Sequence, residues 1–340
     1  MRLSRWIKKA KVFLGIRKRT IVLMYHRVDR NAIDPWNLTV SPENFEGHLQ
    51  FLKKTGLVKS LDGMKKDFLT GNKLKPAVVI TFDDGYVDNY LNAKPLLEKY
   101  NLPATFFISN KHIGTDKEFW WDELAHMVFE TTTLPKLIPI EIQGRKFSFD
   151  LGEEYMLTDG LKQKNILWNG LLVPSTKRAD LYFQLWQALS PMRYEDQQEI
   201  MGKLRDCFGL SPHLNEANYC MSESQLFSLA SNDLFTIGGH TYSHPLLPAH
   251  PYDIQYEEIK ANKEYLENLT KKRIDSFAYP SGKSNDDTVL ALKSSGFDMA
   301  FNTVRRRVDK EDDIFQIGRV QVKDWQKKEF EKRLGNMFAQ

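Results

Sequence analysis

The stretch AVVITFDDGYVDNY, residues 77–90, runs apolar and β-branched residues straight into Phe82, two adjacent carboxylates and Gly85. A short apolar run of this kind reads as a strand covered on both faces, as in a parallel sheet. Side chains alternate faces along a strand, so Asp83 and Asp84 can serve one site only if the strand ends there, and Gly85 permits the sharp departure. Two accounts fit these residues alone. One aspartate holds a cation while its neighbour stays free, or the pair is an N-cap and a salt bridge at a strand-to-helix turn.

A second strand end shifts the balance. In TIGGHTYSHPLL, residues 236–247, an apolar run ends in glycines and then presents His240 and His244. Pro245 turns His244 away from a continuing helix, so the HxxxH spacing reads as a loop at a strand end. Two imidazoles and one carboxylate make a three-ligand set that leaves positions for water and substrate, as at a catalytic Zn²⁺. The same donors suit Co²⁺, Ni²⁺ and Fe²⁺.

Around these motifs strands are expected near 20–25, 77–82, 103–108, 234–239, 275–279, 297–302 and 314–320, with helical patterns between most of them. In SPENFEGHLQFLKK, Ser41 stands as N-cap, Pro42 as first helical residue, and Phe45, Leu49 and Leu52 share a face. YDIQYEEIKANKEYLENL places Ile259, Leu266 and Leu269 on one side, and Gly296 closes DDTVLALKSSG. About seven alternating units argue a parallel barrel more than an open sheet, with chemistry where the strands end. Residues 115–221 break the rhythm. FWWDELAHMVFE, a hairpin around Gly144 and the helical stretches KRADLYFQLWQAL and YEDQQEIMGKLRDCF mark an inserted subdomain that could act as a lid. Trp120 and Trp121 read as core first and as a sugar platform second. Cys207 and Cys220 lack metal-type spacing and read as packing residues.

TFDDGY, HTYSHP and FAYPSG, in that order and each at a strand end, resemble the polysaccharide deacetylases, the NodB homology family of carbohydrate esterases. The resemblance covers roughly residues 20–110 and 222–325. It implies a distorted (β/α)7 barrel, here over 20–114 and 222–330, carrying the long, mostly helical insertion. It also implies metal-dependent removal of N-acetyl groups from amino sugars. Carried over to this sequence, Asp83 is the base, Asp84, His240 and His244 hold the metal, and the FAYPSG turn puts Pro280 and Ser281 against substrate. An N-formyl amino sugar, a non-sugar amide and a catalytically silent carbohydrate-binding relative are the other readings.

Two departures stand out. Many members place an arginine before the prolines of the third motif to orient the base; here that position is Ala278. Many supply a C-terminal histidine as general acid, and no histidine follows His250. Arg319 and Asp324-Trp325 are candidates for the orienting partners. His26, ending the first strand in IVLMYHRV, is the candidate acid, since family members acting on poly-N-acetylglucosamine carry a similar YH motif and an imidazole can donate to a departing amine at neutral pH. Asp83 is the candidate to orient it.

The net charge is +4, yet residues 1–19 hold eight Lys and Arg and no acid, so the folded body is net acidic. A nucleic-acid enzyme would carry its positive charge on the body, and no nucleic-acid partner is expected. Leu3, Trp6, Ile7, Ala10 and Leu14 follow helical spacing among the basic residues, the pattern of an arm at an anionic membrane surface. With no hydrophobic run resembling a secretion signal, the expectation is a cytoplasmic protein, peripheral at the inner membrane face, acting on an amino-sugar glycan or its lipid- or nucleotide-linked precursor. RRR at 305–307, beside a barrel strand, reads as a solvated loop first and a phosphate site second.

Overall fold

The computed structural model describes residues 20–31, 33–70, 76–211 and 215–339. The basic arm expected over 1–19, and His213, lie outside them. The chain divides into two compact units.

The first unit comprises residues up to Arg30, Leu38–Gly114 and Met221 onward. Seven parallel strands form its sheet: β1 (Thr20–Tyr25), β2 (Ala77–Phe82), β3 (Ala104–Ile108), β4 (Phe235–Gly239), β5 (Ser276–Ala278), β6 (Met299–Phe301) and β7 (Val320–Gln321). They run in the order β6-β5-β4-β3-β2-β1-β7. Every residue of β1 and β2 is buried, which explains why TIVLMY and AVVITF show no polar alternation. The strand expected over 314–320 is shorter than its apolar pattern suggests. Ile317 bridges to Phe301 on β6, whereas Val320 and Gln321 pair with β1. The segment thus changes partner at Gly318 and closes the sheet into a distorted (β/α)7 barrel.

Strand register decides which side chains face inward. Tyr25, Phe82 and Phe106 are cross-strand partners and stack on the outer face, with Phe45 packed edge-on against the first two. The opposite parity faces inward, where Val22 and Val79 join Phe107, Met299, Phe301 and Ile317. Continuing that parity by one residue beyond each strand brings His26 and Asp83 to the interior end of the barrel.

Helix Pro42–Thr55 starts after Ser41, but the Ser41 hydroxyl does not cap it; it donates to Asp324 Oδ1 instead. Helix Tyr252–Thr270 buries Ile259 and Leu266 as its pattern suggests, and Gly296 follows helix Asp286–Ser294 with a φ of 76°. Helix Lys327–Ala339 extends this unit past residue 330.

The second unit comprises Asn31–Asn37 and Thr115–Cys220. The short Asn31–Asn37 piece corrects the sequence-based boundary, which left it in the barrel: the Trp36 ring packs at a tilt against Trp186, centroids 4.4 Å apart, and donates to the Tyr182 hydroxyl. Helices Trp120–Phe129, Lys177–Leu189 and Tyr194–Phe208 enclose a core that includes Leu124, Val128, Tyr182, Leu185 and Met201. Strands Leu137–Ile142 and Arg145–Asp150 form the hairpin, turning through Gln143 and Gly144 at positive φ. Trp120 is buried in this core and Trp121 stacks on Phe119. Cys207 packs at the core's edge and Cys220 is buried; neither forms a disulfide. Among the described residues no helix is long and apolar enough to cross a membrane.

Candidate metal and catalytic site

The first unit gathers the acidic and histidine motifs at the C-terminal ends of β1, β2 and β4, the face where barrel chemistry is built. After Phe82 the chain leaves β2 through Asp84 at φ 74° and Gly85 at φ 93°. Two successive left-handed residues reverse the chain sharply enough to bring both aspartates to one site. A Cβ on Gly85 would press on the Ile108 side chain at 3.3 Å, so this position needs glycine for its conformation and its space. The histidine loop is bent in the same way, with Thr241 at 68° and His244 at 61°. The Thr241 hydroxyl accepts from the His244 amide at 3.0 Å and secures that turn. Non-glycine residues in this region store strain that the surroundings must hold.

The strain aims three ligand atoms at one point. Asp84 Oδ1 lies 3.3 Å from His240 Nε2 and 3.5 Å from His244 Nε2, and one donor atom from each residue falls within 4.8 Å of the others. His240 Nδ1 faces the Ala278 carbonyl at 2.7 Å. That contact assigns the proton to Nδ1 and leaves the Nε2 lone pair pointing inward. Asp84 Oδ1 is buried with no hydrogen-bond partner. A buried, orphaned carboxylate oxygen beside two imidazole nitrogens fits a divalent cation.

Electrostatics follow from burial and mutual contact. Burial alone would raise Asp84, but the adjacent imidazoles of His240 and His244, with His26, hold it well below the usual carboxylate range. Burial opposes charge on His240 too, and there Asp84 and Asp83 prevail and raise it. On His244 burial wins and pushes the imidazole down to about 4, keeping it a neutral donor.

Asp83 makes a different set of contacts. Its two oxygens accept from Arg319 Nη1 and Nη2, each at 2.7 Å, and both residues are almost completely buried. Arg319 also donates to Thr81 Oγ1 and to the Asn302 carbonyl. Burial raises the Asp83 carboxyl, but Arg319, together with His240 and His26, outweighs it and holds the group below its ordinary range. Arg319, immediately before β7, thus holds Asp83 in one orientation, whereas Ala278 has no side-chain donor to offer it. Asp324 and Trp325 do not reach the site: Asp324 holds Ser41 and Asn44, and the Trp325 carbonyl meets His48.

His26 Nε2 lies 3.9 Å from Asp83 Oδ2, and its Nδ1 is buried without a hydrogen-bond partner. Its backbone is fixed by the turn that follows TFDDG. Asn89 Nδ2 donates to the His26 carbonyl, while the Asp88 carboxylate accepts from Arg27 Nε and the Val28 amide. Pro280 is buried and Ser281 is exposed, at φ 54°.

Sequence reasoning missed two supports on helix Tyr252–Thr270. Buried Asn262 accepts from the His240 amide and donates to the Ile108 carbonyl and Asn110. Glu258, one turn earlier, accepts from the Ser243 amide and hydroxyl. Asn262 was legible in principle, because it sits on the buried stripe between Ile259 and Leu266 where an apolar residue belongs.

The polysaccharide deacetylase family model matches residues 70–133 and 208–300, the two stretches that carry the aspartates and histidines. Over these two stretches the chain is similar to the polysaccharide deacetylase family. The Bacillus subtilis protein YxkH is 33% identical over 127 residues, covering 36% of this chain and 42% of that protein. A Staphylococcus aureus poly-β-1,6-N-acetyl-D-glucosamine N-deacetylase is 39% identical over 112 residues, covering 28% of this chain and 38% of that enzyme. The matches therefore span less than half the length of these curated relatives. Among solved structures, IcaB from Ammonifex degensii aligns with a TM-score of 0.56 at 17% identity, covering 96% of this chain and 99% of that one. The Streptococcus pyogenes deacetylase PplD in complex with acetate aligns at 0.53 and 19%, covering 94% and 98%. These two likenesses bear on the fold.

Proposed function

We propose that this chain hydrolyses the N-acetyl or N-formyl amide of an amino sugar in a surface glycan or its precursor, using one divalent cation, Zn²⁺ foremost. The observation that carries the reading is the division of labour between adjacent aspartates. Asp83 is gripped by Arg319 and kept anionic, whereas Asp84 Oδ1 is unpartnered and faces two imidazole nitrogens. A structural salt bridge would account for the first aspartate and leave the second unexplained.

A cation held by Asp84, His240 and His244 would supply Lewis acidity to the attacking water and the amide carbonyl. Asp83, held in one orientation by two parallel hydrogen bonds, accepts the proton of that water as general base. Water oxygen bonds to the acyl carbon, the C–N bond breaks, and the departing amine takes a proton from His26. Acetate or formate and a free amino sugar result. Supporting the sugar assignment are the family and the likeness to a poly-β-1,6-N-acetyl-D-glucosamine N-deacetylase over the 112 matched residues.

The test is acetate release from β-1,6-linked N-acetylglucosamine oligomers by the purified chain, before and after chelation and after Zn²⁺ is restored. Release that stops on chelation and returns with the cation is expected. No release from any N-acylated sugar, with hydrolysis of a non-sugar amide instead, would overturn the substrate class.

A further inference from the structure

The second unit carries an apolar protrusion that its own core does not use. Leu167, Leu171, Leu172 and Val173 are 80%, 78%, 57% and 88% exposed. Singly exposed aliphatics are ordinary; four within seven residues form a contiguous apolar tip. The backbone beneath them is firmly held. Trp168 is buried and its indole donates to the Leu172 carbonyl, and Asn169 accepts from the Leu171 and Leu172 amides. The Gly170 amide donates to the Pro35 carbonyl at 2.7 Å, and a Cβ on Gly170 would lie 2.4 Å from the Trp36 ring. The loop is therefore a preformed wedge whose apolar side chains point to solvent.

We infer that this tip, Leu167 to Val173, inserts into the headgroup and acyl boundary of an anionic lipid bilayer. Charge distribution selects this occupant. From Gly160 to Ala179 there is no acid, while Lys162, Lys164, Lys177 and Arg178 are present. Arg178 is spent inside the unit on backbone carbonyls, and Lys177 reaches the Asp150 carbonyl. Lys162 and Lys164 remain exposed on helix Asp159–Leu167. Lys164 precedes Leu167 by three residues, hence on the same helical face, where its ammonium can sit at phosphate depth while Leu167 enters the acyl region. A glycan would call for aromatic faces and converging polar groups, which the tip lacks. A second copy of the chain would need roughly 800 Å² per partner for a stable dimer, far more than four aliphatic side chains on a loop provide. This inference does not rest on the deacetylase reading.

The experiment is sedimentation of the full chain with vesicles of equimolar phosphatidylcholine and phosphatidylglycerol. A triple variant, Leu171→Ser, Leu172→Ser and Val173→Ser, changes only exposed residues, and its melting curve should match the parent. Partitioning should fall at least about 10-fold, and a Lys162→Gln, Lys164→Gln variant should lose several-fold on anionic vesicles only. Because the basic arm could also bind lipid, the depth of the tip is read separately. An environment-sensitive dye on Val173→Cys, in a Cys207→Ser background, should shift to the blue and be quenched by lipids labelled near the headgroup. A dye that stays in water while the protein sediments overturns the inference and assigns binding to another segment. Unchanged partitioning of the triple variant overturns it as well, as does a concentration-dependent dimer that this variant abolishes.

Discussion

Replacing Arg319 by methionine keeps much of its volume in the barrel and removes both hydrogen bonds to Asp83. The side chains involved are 0% and 3% exposed, so water cannot take the place of the guanidinium. Breaking a buried pair from one side leaves an uncompensated charge, a loss of about 3–5 kcal/mol. Asp83→Asn should cost a similar amount by stranding Arg319. The double variant should cost about 2–4 kcal/mol less than the sum, because neither charge is then left alone. The pH dependence has a definite sign. In the parent, the Asp83 carboxyl is held below its ordinary range, so its contribution is present above about pH 4 and fades as pH falls through the lowered value. Without Arg319, burial dominates and raises the carboxyl, so the deficit of Arg319→Met should shrink on acidification. The acid limb of its pH–rate profile should move to higher pH. Denaturant unfolding of the four proteins at pH 7 and pH 4 checks this. Additive losses with a deficit independent of pH would refute the argument that Arg319 exists to hold an ionised Asp83.

His26→Ala should retain the cation and the fold and lose turnover by roughly 10² or more, as kinetics on a soluble oligomer would show. Asn262→Ala should lower affinity for Zn²⁺ about 10–100-fold through the slackened His240 loop, measured by competition with a chromophoric chelator. His48 is buried against Tyr25, the Trp325 carbonyl and the Phe330 ring, and burial pushes it down to about 4 against the raising effects of Trp325 and Asp324. A base whose folded value is depressed must be neutral in the fold, so stability should fall as pH drops from about 6.5 towards 4. The loss should reach about 2–3 kcal/mol, and His48→Gln should show a correspondingly flatter dependence in urea titrations.

The long apolar strands were legible because burial on both faces leaves an unmistakable run, as in TIVLMY and AVVITF. The last strand was not, because Ile317 and Val320 pair with different neighbours across Gly318, and a pairing switch leaves no periodic mark. Asp83, Asp84, His240 and His244 could be picked out because glycine and proline beside them announce strand ends. Their convergence, by contrast, depends on positive φ at Asp84, Thr241 and His244, residue types that do not advertise it. Arg319 was visible only as one candidate among several. Its partner lies 236 residues away, and only the register of β1, β2 and β7 brings the two together. Asn31–Asn37 escaped for a similar reason: Trp36 reaches its partners at Tyr182 and Trp186 across well over a hundred residues.

The account turns on two neighbouring carboxylates doing different work, and metal analysis alongside turnover of Asp83→Asn and Asp84→Ala tests it most directly. After loading with Zn²⁺ and removal of the excess, Asp83→Asn should keep about one equivalent of metal and lose turnover, while Asp84→Ala should lose both together. Equal metal loss in the two variants, or an Asp84→Ala protein that still carries a full equivalent, would contradict it.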